Sequence, residues 1–190
     1  MKRTIYILIA LGLAVGVLGI ILKQRLNDRI MISTMANGIN IYRSIAMNET
    51  SDNNTLPLPQ STGDTIFSSS TDYLRCVVTS GYMAVEFRFF SAPGFMPPHD
   101  LAPEQFSSDY NLWCVVADIS PSSADTAPVL FTKNLMLNSL AERPILSDTP
   151  PFGKRGVIVI QKNAKGRILK EAEIDGYFTK LGMNNKVLRP

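Results

Sequence analysis

The sequence predicts an α+β fold, with one long N-terminal helix packed on a small antiparallel β-sheet. Three observations carry this expectation. Ile5–Leu22, IYILIALGLAVGVLGIIL, is a run of 18 residues without a charge. Beyond it, Met31, Met35, Ile39, Tyr42 and Ala46 recur every three or four residues, so an apolar stripe continues along the same helix. Short β-rich runs then follow the helices instead of alternating with them, which is the order of an α+β chain.

Taken in order, residues 1–4 form a short tail and residues 5–22 a transmembrane helix. Eighteen helical residues rise about 27 Å, enough for a bilayer core. Twelve of these residues are Ile, Leu or Val, each worth roughly −0.3 to −0.6 kcal/mol on insertion. Met1-Lys2-Arg3 could also open a cleaved signal peptide, but the apolar run is longer than a usual h-region. No small-x-small site precedes Lys23-Gln24-Arg25 either. Lys23 to Met47 has no proline and one glycine, Gly38, so the helix is expected from about Thr4 to Met47. Residues 23–47 are its amphipathic extension, one face against the head. A plain tether would need no such stripe.

Residues 48–190 make the head. Asn48 to Thr65 is a polar, proline-containing connector. Ser69-Ser70-Thr71-Asp72 reads as an N-cap with an acid in the first turn, opening a helix to about Ser80 with Gly81 after its C-cap. Val85 to Phe90 reads as a short strand, and Phe95 to Asp109, with its three prolines, as a loop. Asn111 to Ile119 is nearly all apolar, as expected of a strand covered on both faces. Val129 to Thr132 is another strand. Gly156–Ile160, a turn at Asn163–Gly166 and Arg167–Lys170 suit an antiparallel hairpin.

Charge and chemistry narrow the function. The net +3 divides into +5 over residues 1–48, −8 over 49–142 and +6 over 143–190. The head is therefore slightly acidic, which argues against nucleic acid as a partner. If the acidic middle and basic end lay on opposite sides of the head, copies could stack acid to base; interleaved charges are the plainer expectation. His99, the single histidine, sits in a proline-rich loop and reads as solvated. One histidine leaves little for a Cys/His metal site or a Ser-His-Asp triad, and no glycine-rich phosphate loop is present. No catalytic residue, metal ligand, cofactor or small-molecule substrate is expected.

Two pairs of residues stand out. Gly12 and Gly16 form a GxxxG pair that suits close helix–helix packing, although glycine is also simply frequent in membrane helices. Cys76 and Cys114 could form one bridge in an oxidising compartment. Their apolar flanks equally suit free cysteines acting as small buried hydrophobes. Flanking charges, Lys2 and Arg3 against Lys23, Arg25 and Arg29, leave the orientation of the helix tied.

Several stretches resemble type IV pilins and type II secretion pseudopilins. Asn37-Gly38-Ile39-Asn40-Ile41-Tyr42-Arg43, followed by Ser51-Asp52-Asn53-Asn54 and Leu56-Pro57, looks like the helix end and connector of pseudopilin-like proteins. Ser70–Leu74, Phe90–Gly94, Asn111–Val116, Pro128–Leu135 and Pro151–Gly156 are similar to a divergent branch of that group. The resemblance implies a pilin-like fold, a cytoplasmic amino end in the inner membrane and a periplasmic or surface-exposed head. It also implies a non-enzymatic subunit or accessory of a pilus or secretion machine, acting by packing against its own copies or other machine components. Some pseudopilins hold calcium in C-terminal loops, and Asp118, Asp125 and Asp148 are the loop acids here, without EF-hand spacing.

The processing signature departs from that pattern. Arg3 runs directly into Thr4-Ile5-Tyr6, with no glycine before the apolar run and no glutamate inside it. In pilin filaments that glutamate pairs with a neighbouring amino terminus in low dielectric. The second expectation is accordingly a signal-anchored periplasmic binding or scaffold module that does not polymerise.

Overall fold

Lys2–Glu49 forms a single α-helix, α1. A computed structural model describes residues 2–49, 59 and 67–190, with side chains in α1 from residue 12 to 47 except residue 14. The Asn48–Thr65 connector therefore lies almost wholly outside the described residues.

The second half of α1 docks on the head. Its buried positions are Met31, Thr34, Gly38, Ile41, Tyr42 and Ile45, spaced as one helical face. The expected stripe is displaced sideways. Met35, Ile39 and Ala46 are only half-buried shoulders of the contact, and its centre runs through Thr34 and Gly38. Small residues sit there because the helix comes very close to the sheet. A Cβ on Gly38 would lie 2.8 Å from Trp113 Cζ2 and 2.9 Å from Ile160 Cγ1. At one shoulder Gly166 makes the same room, since a Cβ there would lie 2.7 Å from Met35 Sδ.

α2 spans Ser70–Thr79, and Ser69 caps it by accepting from the Asp72 N–H (3.1 Å). The hydroxyls of Ser68 and Ser69 donate to the Asp72 carboxylate, which holds its pKa below the ordinary value, with Arg75 adding to the effect. Gly81 follows the C-cap at φ 77, the left-handed conformation that glycine adopts without strain. Phe87–Phe90 is not the expected strand but a 3-10 turn. Phe87 and Phe90 are buried three residues apart, and both rings pack on Phe106, with centroids at 4.6 and 5.7 Å. A spacing of three places both rings on one side of a tight turn, whereas a strand would need a spacing of two.

Five strands form the main sheet: β1 (Trp113–Val116), β2 (Pro128–Thr132), β5 (Val157–Gln161), β6 (Gly166–Leu169) and β7 (Val187–Leu188). A small hairpin, β3 (Leu135–Met136) with β4 (Ile145–Leu146), stands apart. The main order is β6-β5-β2-β1-β7, and every pairing is antiparallel. Side chains alternate between two cores. Trp113, Val115, Ile158, Ile160 and Leu188 face α1 and α2. Cys114, Val116, Val157, Val159 and Val187 face the other way, towards Leu135, Leu137 and α3 (Glu171–Thr179). The central strands are thus covered on both faces, as their uninterrupted apolar runs require. Helix α3, the β3–β4 hairpin and β7 were not expected from the sequence.

Candidate membrane and packing surface

Among the described side chains of α1, every one from Gly12 to Leu26 is exposed, and half-burial begins at Asn27. Leu13, Val15, Val17, Leu18, Ile20, Ile21 and Leu22 are between 42% and 67% exposed. At roughly 100° per residue these seven side chains spread over about 220° of the rod, and Gly12, Gly16 and Gly19 occupy the remaining side. Among the described residues no helix is long and apolar enough to cross a membrane. The side chains of residues 5–11 and 14 are not among them, so the expected span Ile5–Leu22 is described only in part.

Gly12 and Gly16 lie on this rod. A Cβ at either would meet no atom within 4 Å, and the same holds for Gly19. Intervals of four and three residues put all three glycines on one face. That face leaves the backbone open to close approach by another helix.

The candidate disulfide is not formed: both thiols are free. Cys114 lies in the core on the α3 side of the sheet. Cys76 is half-exposed on α2, whose buried residues Tyr73, Leu74 and Val77 pack into the α1 side. Burial of Cys114 pushes its thiol up to about 12.

The remaining candidates sit apart from one another. His99 is exposed, and its Nδ1 is 3.3 Å from Glu86 Oε2. Glu86, but not His99, lines an open groove of about 690 Å³ together with Met83, Val85 and Phe89. Asp118 sits at φ 59 after β1, and Asp148 lies 3.9 Å from Lys154 Nζ. Among the described residues, no three His, Cys, Asp or Glu side chains gather in a way that could hold a metal ion. Lys133 is half-buried and donates to the carbonyls of Ser108 (2.6 Å) and Asp109 (3.3 Å). Burial lowers its pKa, with Asp109 opposing.

A second groove, of about 700 Å³, lies where the rod leaves the head, between Asn27 and Ile30 of α1 and the loops around Phe95 and Pro150–Arg155. Sequence reasoning missed this junction, because its walls lie more than fifty residues apart along the chain. The glycine at residue 38 was the one available signal of close helix–sheet contact.

Compared with protein-family models, curated proteins and solved structures, the chain matches none.

Proposed function

We propose that this chain is a non-enzymatic, single-pass membrane protein of the pilin-like or pseudopilin-like kind. In this reading it is a subunit or accessory of a type IV pilus or type II secretion machine and acts by protein–protein packing. Ile5–Leu22 lies in the inner membrane and the head is periplasmic or surface-exposed. One observation carries the reading: among the described residues of a single helix, the apolar side chains from Leu13 to Leu22 are bare, whereas from Met31 one side of the same helix is buried.

The magnitude supports a covered rod. Burying a Leu, Ile or Val is worth about 1.5–3 kcal/mol. Seven such side chains, each roughly half exposed or more, forgo on the order of 10 kcal/mol in water. That rivals the net stability of a whole domain. Lipid or neighbouring helices remove this cost, and the open face at Gly12, Gly16 and Gly19 suits the latter. The absence of a glycine before the run and of a glutamate within it favours the second reading, an anchored periplasmic module that does not polymerise.

Full-length protein extracted in mild detergent separates the two readings. Light scattering and electron microscopy are expected to find assemblies larger than one chain, reduced several-fold by Gly16→Leu. A monomer at every protein-to-detergent ratio would leave the anchored module. Native protein that begins downstream of Leu22 and fractionates with soluble proteins would remove both readings.

A further inference from the structure

We propose that the groove where α1 leaves the head is a membrane-surface contact that binds anionic phospholipid headgroups. This rests on the anchored reading above and specifies what the base of the head does once the rod is inserted.

Depth is the first argument. If the hydrocarbon ends at Leu22, a rise of 1.5 Å per residue puts Asn27 about 7.5 Å and Ile30 about 12 Å beyond it. The headgroup layer extends roughly 5–8 Å past the hydrocarbon, so the groove opens at its outer edge. Lys23, Asn27 and Ile30 are spaced by four and three residues and share one helical face. The Lys23 ammonium thus lies one turn membrane-ward of the groove.

The head's wall is built to present charge and apolar surface there. Phe152 is buried, and the Gly153–Arg155 turn is pinned at its start and just beyond its end. Asn134 Nδ2 donates to Gly153 O (2.8 Å) and Gly156 O (2.9 Å). The turn leaves Lys154 and Arg155 exposed. Beside it, Phe95 N–H donates to Ala92 O (3.0 Å) across a turn with Gly94 at φ 87. The Phe95 residue is left 43% exposed. Cations set around a protruding aromatic ring match a surface of phosphates over acyl chains.

Charge points the same way after the acids are counted. On the groove's side Lys23, Lys154 and Arg155 stand against Asp148, a net +2, while Arg25, Asp28 and Arg29 lie about 140–240° round the rod from Lys23. Lys154 is not neutralised by Asp148: the pair is 3.9 Å apart, with 58% and 82% of the side chains exposed. Exposed pairs of that kind hold each other weakly.

The test uses full-length protein in vesicles of phosphatidylcholine alone or with 30% phosphatidylglycerol, with a nitroxide quencher on the headgroups for Phe95→Trp and bromine on the acyl chains for Val15→Trp. Phe95→Trp reports contact by fluorescence quenching, over a constant background from buried Trp113. Val15→Trp reports insertion of the rod. Quenching of Phe95→Trp is expected to be at least twofold stronger with phosphatidylglycerol. Adding Lys154→Glu and Arg155→Glu, or 0.5 M salt, should return it to the phosphatidylcholine level. Far-UV circular dichroism checks that the variants fold.

If Val15→Trp is quenched but Phe95→Trp is not, the headgroup contact is overturned while the anchor stands. If neither is quenched, both fall. Quenching of Phe95→Trp that ignores phosphatidylglycerol, salt and charge reversal also overturns the proposal. So does an emission shift that follows protein density instead of lipid composition, which would mark a contact between copies.

Discussion

The Cys114 thiol sits in the core formed by Val116, Phe131 and Val159. Burial there disfavours the thiolate and raises the pKa from 9.0 to about 12. Cys76, half-exposed on α2, has a serine hydroxyl 3.6 Å away and no such barrier of packing. Since the thiolate is the reactive form, a thiol reagent at pH 8 is expected to modify Cys76 in the native protein. Cys114 should react only after denaturant is added. The sign with pH follows. In the unfolded chain Cys114 ionises near 9, but in the folded chain it resists. The native state should therefore lose stability as pH rises from about 9 towards about 12. Two thiols reacting at equal rates without denaturant would contradict this placement. The sequence shows why the pairing could not be read locally. Both cysteines lie in similar apolar wording, Leu-x-Cys-Val-Val, yet one set packs on a helix and the other in a strand.

At the level of elements, the docking of α1 on the sheet depends on side chains that are missing. Gly38 and the half-buried Gly166 let helix and sheet meet at Trp113 and Met35. Gly38→Ala gains about 1 kcal/mol of helix propensity. It also drives a methyl into the buried indole ring, and overpacking of that kind costs about 1–3 kcal/mol. The clash should win, because Trp113 is fully buried and has nowhere to move. Gly176→Ala in α3 is the control, since a Cβ there meets nothing within 4 Å. Denaturant titrations are expected to show Gly38→Ala destabilised and Gly176→Ala stabilised by a few tenths to 1 kcal/mol. A stabilised Gly38→Ala would mean the helix is not seated where described.

The elements that were legible carry strong local signals: α1 and its period, the Ser69 cap of α2, the apolar runs of β1, β2 and β5, and the Asn163–Gly166 turn. Those that were not legible depend on distant partners. β7 is two residues long and exists by pairing with β1. Helix α3 buries only Ile174 and Phe178, contains Gly176 and begins after Lys170 instead of a Ser, Thr, Asp or Asn cap. The Phe87–Phe90 turn is set by Phe106, sixteen residues further along, which the local pattern could not supply.

Across the whole molecule, the proposed reading has one helix serve two solvents. Its second half belongs to the head through Met31, Thr34, Gly38, Ile41 and Ile45, and the described side chains from Leu13 to Leu22 expose an apolar surface. Sequence made this division readable, because composition changes at Lys23 while helical periodicity does not. The junction groove was not readable, since only folding brings Asn27 beside Lys154 and Phe95.

The most direct measurement is a nitroxide scan of reconstituted full-length protein, with Cys76 and Cys114 replaced by Ala and a label placed at each position from 15 to 45. The expected result is high oxygen and low nickel-chelate accessibility at every position through Leu22, with a crossover between Lys23 and Asn27. A 3.6-residue oscillation should follow, with minima at Met31, Thr34, Gly38, Ile41 and Ile45. Nickel access equal on both sides of Lys23, or no oscillation beyond it, would contradict a rod that leaves the lipid and lies on its own head.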